Sequence, residues 1–419
     1  MSLNNFISLL GSAGSGTVDV PRTHMLFTRS TGGGIGTLQV GFFKIQQDGS
    51  LLFVGNDSPI DTTFENFAAV QRGYSPTYNQ VVLWNRSGQF YGGSYTYRRH
   101  NIVYDMSDPD NPVRTLGGTQ NVAATDGIVH PIFSSEQINS PVSSGGNAYF
   151  FGNQQWLGYT SKQIVYFGGN GGEGQLGDFQ YGGTTVPGGI DGPVFYDEED
   201  DLFFVYSSGP VYIIDRSTMI SQQRISQNTN GNSLWIIGVD YKRKLIFTES
   251  QWAPTGSTSN SNKRWLSVFD YSNYPSSVTR VGTAEVTATL FSGAAPRVFA
   301  YDKDLQQVFV MGPTNTGATP QPQNAYYTMD CSDPSNPSVL RQSRISYEIN
   351  TRNFDYDQAQ NTGYFFGEQA SNSYVHKFVL NPSGFPSFTY NVPTDASSTQ
   401  DPSDYLSSDT TYNQAMLYG

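Results

Sequence analysis

A degenerate two-strand unit recurs seven times along this 419-residue chain, and that internal repetition limits the fold more than any other property of the sequence. Each copy is an apolar or aromatic strand, a polar turn that often contains Asp, and a second strand rich in Phe, Val and Tyr. The second strands run 51–55, 81–84, 148–152, 202–206, 245–247, 308–312 and 363–367, and the turns before four of them carry Asp197, Asp240, Asp302 or Asp355. Neighbouring copies lie about 30 to 67 residues apart, averaging near the ~40 to 50 of a propeller blade. Variable spacing on a fixed unit means variable loops on a regular frame.

A second element follows several of these hairpins. Residues 103–113 read V-Y-D-M-S-D-P-D-N-P-V, and residues 328–339 nearly repeat them as T-M-D-C-S-D-P-S-N-P-S-V. A weaker copy occupies 268–278, and Tyr212 to Ser217 keeps only the first half. The chemistry suits a strand end: Asp and Ser side chains accept from nearby backbone N–H groups, while proline fixes φ and cannot continue a central strand. Four strands per unit, seven units and almost no helical periodicity point to an all-β, seven-bladed β-propeller of four-stranded antiparallel blades. Closure of such a ring protects strand edges. The stretches 103–113 and 328–339 resemble the LVIVD-repeat propellers, strongly there and partially at 268–278. The resemblance implies the fold and leaves function open, because propellers serve as enzymes, scaffolds and receptors alike.

The expected organisation is an N-terminal docking arm at 1–20, a propeller at 21–395 and a Ser-, Thr- and Asp-rich C-terminal tail at 396–419. The first blade spans about 21–58 and starts with the strand at Met25, and the seventh spans about 351–395. The ends of such a ring usually meet, often with a strand from one terminus completing the other terminal sheet. The opening apolar stretch Phe6 to Leu10 has no Lys or Arg before it, which favours a retained arm over a cleaved signal.

Composition narrows the partners. Charged residues make up 14% of the chain against roughly 25% in an average soluble domain, while Gly, Ser, Asn, Thr, Tyr and Phe are abundant. A net charge of −12 repels phosphate, so nucleic acid is not an expected partner. No run of about 18 apolar residues predicts a membrane-spanning helix. Cys331 is the sole cysteine, so no disulfide forms within the chain.

The raw materials for catalysis are thin. His24, His100, His130 and His376 fall in different units without metal-ligand spacing, and no catalytic, metal or cofactor site is expected. The run Asp197 to Asp201 has the oxygen ligands that suit Ca²⁺, but its hairpin-turn position reads as a solvated acidic turn. Gly169 to Gly174 matches G-x-G-x-x-G, yet no helical pattern follows to face a pyrophosphate. The same stretch, read on to Gly177, resembles one repeat of the propellers named for the regulator of chromosome condensation. The candidate interaction patch is Tyr91, Tyr95, Tyr97, Arg98, Arg99 and His100, expected in a connection between strands, since Tyr and Arg dominate recognition surfaces. Asn-rich and Tyr-rich loops at 260–263 and 314–324 fit carbohydrate binding and no binding at all equally well.

Low charge, one cysteine, abundant Gly, Asn, Ser, Tyr and Phe, and arms at both ends resemble the structural proteins of tailed-bacteriophage virions. That resemblance implies a non-enzymatic tail, fibre, spike or capsid accessory component, present in several copies among other virion proteins, with a host surface glycan or protein as a further partner. The competing expectation is an exported or surface-exposed bacterial propeller that binds a glycan or protein.

Overall fold

The computed structural model describes residues 21–30, 37–61, 71–75, 79–91, 94–122, 142–144, 147–153, 162–167, 173–178, 180–185, 190–197, 199–207, 209–215, 217–218, 220–227, 234–255, 263–287, 296, 298–313, 324–345, 354–369, 372–405 and 414–419. The expected arm at 1–20 lies outside them. The described residues form seven sheets, each built on four antiparallel strands, the repeated unit of the β-propeller kind.

From inner to outer strand, sheet one is Gln414–Tyr418, His24–Ser30, Thr37–Ile45 and Leu51–Asp61. Sheet two is Gln71–Ser75, Gln80–Tyr91, Ser94–Asp105 and Val113–Val122, and sheet three is Val142–Ser144, Asn147–Asn153, Lys162–Phe167 and Glu173–Asp178. Sheet four is Ile190–Asp197, Leu202–Ser207, Val211–Asp215 and Ile220–Ile225, extended at its outer edge by the small hairpin of Gln180–Tyr181 and Thr184–Thr185. Sheet five is Trp235–Asp240, Leu245–Ser250, Lys263–Asp270 and Thr279–Thr287. Sheet six is Val298–Asp302, Gln307–Pro313, Asn324–Asp330 and Ser338–Ile345, and sheet seven is Phe354–Asp357, Thr362–Gln369, Asn372–Val379 and Ser387–Thr389.

Six of the seven Phe- and Val-rich segments are second strands, as their sequence suggested. The exception is Leu51 to Gly55, which belongs to the outermost strand of sheet one. There the second strand is the one that starts at His24, because the inner strand comes from the other end of the chain. The region expected as a C-terminal tail therefore contributes Gln414–Tyr418 to the first sheet. The chain around the start of that region is engaged as well: Leu51 N donates to Pro393 O at 2.9 Å, Asp395 N to Leu51 O at 2.9 Å, and Phe53 N to Ser398 Oγ at 3.0 Å. Residues 393–398 thus occupy hydrogen-bonding groups along that outer strand that would otherwise template aggregation.

The inner strands touch in succession. Gln414–Tyr418 lies against Phe354–Asp357 on one side and Gln71–Ser75 on the other. From there the contacts run through Val142–Ser144, Ile190–Asp197, Trp235–Asp240 and Val298–Asp302. Sheets six and seven meet through Phe299 and Phe354, whose rings pack edge to face at 4.7 Å. Apolar side chains fill the space between sheets. Leu26, Phe42, Leu83 and Tyr104 pack between sheets one and two, Phe204, Ile213, Ile236 and Ile246 between four and five, and Phe247, Leu266, Val310 and Tyr327 between five and six. Each such side chain contributes roughly 1.5–3 kcal/mol by leaving water. The apolar content of the second strands thus holds neighbouring sheets face to face.

Candidate functional site

The acidic turns are the groups with the richest chemistry, and the structure gives each the same duty. Asp197, Asp240, Asp302 and Asp357 end the inner strands of sheets four to seven. One oxygen of each caps its own turn: Asp302 Oδ1 accepts from Asp304 N at 3.0 Å and Leu305 N at 2.8 Å, Asp240 Oδ1 from Arg243 N at 2.9 Å, and Asp357 Oδ1 from Ala359 N at 2.9 Å. The other oxygen reaches the following sheet. Tyr271 donates to Asp197 Oδ2 at 2.7 Å, Tyr301 to Asp240 Oδ2 at 2.7 Å, and Tyr356 to Asp302 Oδ2 at 2.5 Å, while Arg22 N at the start of sheet one donates to Asp357 Oδ2 at 2.8 Å. Asp355, which the sequence suggested for this turn, sits two residues earlier in the strand and accepts from Leu417 N at 2.9 Å. Burial, reinforced by the carboxylate each faces, pushes the hydroxyls of Tyr271, Tyr301 and Tyr356 far above the usual phenol range, so they stay protonated donors.

The Asp-Ser-Asp-Pro element works the same way where the third strand ends, on the same side of the sheet as the inner-strand Asp. Asp105, Asp270 and Asp330 each accept from the backbone N–H two residues on, at 2.8–2.9 Å, and Asp215 accepts from Thr218 N at 2.9 Å. A β-bulge precedes every one of these Asp residues, between Val103 and Tyr104, Ile213 and Ile214, Val268 and Phe269, and Thr328 and Met329. The bulge raises local twist and bends the strand toward its turn. Turns at this position in sheets five, seven and two rest on the preceding sheet. Gln223 of sheet four donates to Pro275 O at 2.8 Å, Thr328 of sheet six donates to Gly384 O at 2.6 Å, and Asp110 receives His24 Nε2 at 3.0 Å and Lys44 Nζ at 2.7 Å from sheet one.

The run Asp197 to Asp201 is organised by a cation of the protein itself. Lys244 Nζ of sheet five lies 3.1 Å from Asp197, 3.3 Å from Glu199 and 2.9 Å from Asp200. Burial opposes the ammonium charge, but the bonds to Asp200 and Asp197 prevail and raise its pKa above the ordinary lysine value. Excess Ca²⁺ or a chelator is therefore expected to leave the melting temperature of the wild-type protein unchanged. Lys244→Met leaves the buried Asp197 without its cation, at a cost of about 2 kcal/mol that Ca²⁺ partly restores. Thermal melts with and without Ca²⁺ check both.

The histidines are not brought together. His24 sits in sheet one, accepting from Thr23 Oγ1 at 2.8 Å, and burial lowers its pKa despite Asp110. His376 is fully buried in sheet seven, accepts from Asn391 N at 3.1 Å, and is pushed down to about 4 by burial. Its folded value lies below the unfolded ~6.5, so the unfolded chain binds the proton first. The stability it supplies is complete above about pH 6.5 and is lost as pH falls toward 4, about 3 kcal/mol in all. His376→Gln is expected to flatten the acid limb of a urea-denaturation series between those pH values. His130 lies outside the described residues, as does the side chain of His100. Among the described residues no cluster of metal-ligating side chains occurs.

Cys331 is buried, and burial pushes its thiol up to about 12, which makes it unreactive. The glycine-rich stretch at 169–174 runs directly into the strand Glu173–Asp178, so no helix N-terminus is there to hold a pyrophosphate. The loop segments 256–262 and 314–323 lie outside the described residues.

Sequence reasoning missed a buried ion pair within sheet five, between its second and third strands. Glu249 Oε1 lies 3.3 Å from Arg264 Nε, and Glu249 Oε2 has no hydrogen-bond partner among the described residues. Burial raises the Glu249 pKa against the pull of Arg264. It also missed the Tyr donors to the inner-strand Asp residues, although a Tyr-Asp dipeptide recurs at 301–302 and 356–357 and marks two of them.

The tyrosine–arginine patch lies on a hairpin and not in a connection. Tyr91 closes the strand Gln80–Tyr91, and Tyr95, Tyr97, Arg98, Arg99 and His100 follow along Ser94–Asp105. Tyr95 pairs with Phe90, Tyr97 with Gly88, Arg98 with Ser87, Arg99 with Arg86 and His100 with Asn85. Only residues 92 and 93 separate the two strands.

No protein-family model matches the chain, and no curated protein matches it. Among solved structures it is similar to Sqt1 from Chaetomium thermophilum, at 8% identity and a TM-score of 0.48 over 87% of this chain and 85% of that one. It is also similar to TolB from Acinetobacter baumannii, at 13% identity and a TM-score of 0.35 over 82% and 69%. Hsv2p from Kluyveromyces lactis is similar at 8% identity and a TM-score of 0.37 over 75% and 76%. None of the three assigns an activity to this chain.

Proposed function

We propose that the seven sheets are the blades of one closed seven-bladed β-propeller, and that the ring is a non-enzymatic structural component of a virion, a tail, fibre, spike or capsid accessory part. The succession of inner-strand contacts and the completion of sheet one by Gln414–Tyr418 support the ring. One observation carries the non-enzymatic reading. The inner-strand carboxylates, their tyrosine donors, Lys244 and Arg243 are all engaged in joining one sheet to the next, the use a rigid platform makes of polar groups. Low charge, a single cysteine and abundant Gly, Asn, Ser, Tyr and Phe support the virion setting. Mass spectrometry of purified particles from the source cells tests it. Peptides of this chain at several copies per particle are expected, and their absence from particles that are otherwise complete would remove the virion role.

A further inference from the structure

We propose that the distal half of the sheet-two hairpin docks on an acidic surface of a second copy of this chain. The hairpin strands Gln80–Tyr91 and Ser94–Asp105 are 12 residues each, whereas the corresponding strands of sheets four to seven have five to eight. The surplus of four to seven residues amounts to roughly 13 to 23 Å of extra ribbon at ~3.3 Å per residue. In the proximal half, Val81, Leu83, Ile102 and Tyr104 are buried against sheet one. The distal half lies beyond these core positions.

Its charge is the reverse of the chain's. No Asp or Glu occurs between Glu65 and Asp105, while Arg72, Arg86, Arg98 and Arg99 fall in that interval, in a protein of net charge −12. Register places Arg86 directly opposite Arg99. Like charges at opposed positions of an antiparallel pair destabilise it, and a carboxylate-bearing surface laid across the ribbon relieves that repulsion. The sequence of the same ribbon holds Trp84, Phe90, Tyr95 and Tyr97, residue types enriched in interface cores. The acidic side is present on the chain itself, for example at Glu199 and Asp200, which meet Lys244 yet keep side chains 69% and 43% exposed. A polyanion such as nucleic acid meets the repulsion of the whole body, which favours a protein surface.

This inference rests on the reading that the chain works in several copies. Sedimentation velocity of the full chain is the test, at about 50 and about 500 mM NaCl, with the variants Arg86→Glu/Arg99→Glu and Arg86→Gln/Arg99→Gln. The expected result is self-association that weakens about tenfold or more in the higher salt, is lost in the Glu pair and is weakened in the Gln pair. Far-ultraviolet circular dichroism stays unchanged in both variants, and neither variant melts below the wild type. A wild-type chain that is monomeric at both salt concentrations, or association equally strong in folded variants, overturns the proposal, as does binding of RNA in place of a second copy. Salt-sensitive self-association by a chain absent from particles would leave this contact standing and remove the virion role.

Discussion

Replacing Asp302 by alanine is expected to lower stability by about 4 kcal/mol, measured by urea denaturation, because a single buried carboxylate serves two sheets at once. Asp302 is fully buried and accepts from Asp304 N, Leu305 N, Gln358 Nε2 and Tyr356 Oη. Alanine strands all four donors. Tyr356→Phe removes only one bond and is expected to cost about 1–2 kcal/mol. The double variant should cost less than the sum of the two, since the hydroxyl has no carboxylate left to lose. Additive losses would mean that the inter-sheet bond carries no energy.

Gly282→Ala is expected to cost about 3 kcal/mol, the upper part of the overpacking range. Gly282 is in the outer strand of sheet five, where the Asp333–Pro337 turn of sheet six rests on it. A Cβ there would overlap the backbone oxygen of Pro334 and lie 2.9 Å from Pro337 Cδ. Shortening Pro337 to alanine should restore little, because the closer obstacle is backbone. Gly55→Ala is the control: nothing lies within 4 Å of a Cβ at that outer-strand position, and the expected change is within about 0.5 kcal/mol.

The two variants test one idea from opposite directions. The inner-strand Asp residues join sheets by attraction across a buried joint, and the Pro-bounded turns join them by close backbone approach. Both devices come from short repeated motifs, so one local sequence rule is used at successive joints of the fold.

What could be read from the sequence was the local half of each device. Asp and Ser two or three residues apart predict their own capping bonds, and Asp105, Asp270 and Asp330 make them. The distant half was marked only by the Tyr-Asp dipeptides at 301–302 and 356–357, which do not say which carboxylate each Tyr reaches. The Tyr donors lie 54 to 74 residues from their carboxylates, and nothing in the turn itself names them. Sheet one was read out of phase for a related reason. Its inner strand comes from 414–418, and its outer strand is covered by 393–398, so Leu51 to Gly55 carries the apolar content of an interior strand. Residues 91–100 read as a connection because Gly88, Gly92 and Gly93 interrupt the apolar alternation that marks a strand. The backbone of the sheet-two hairpin pairs regardless, from Gln80 with Asp105 to Tyr91 with Ser94.

A cryo-electron-microscopy map of the purified protein tests the closed ring most directly. It should show seven radial sheets about one axis, with the segment 414–418 seated as the innermost strand of the first and the Tyr356–Asp302 contact bridging the sixth and seventh. An open arc, or two separately packed bodies with 414–418 away from His24–Ser30, would contradict it.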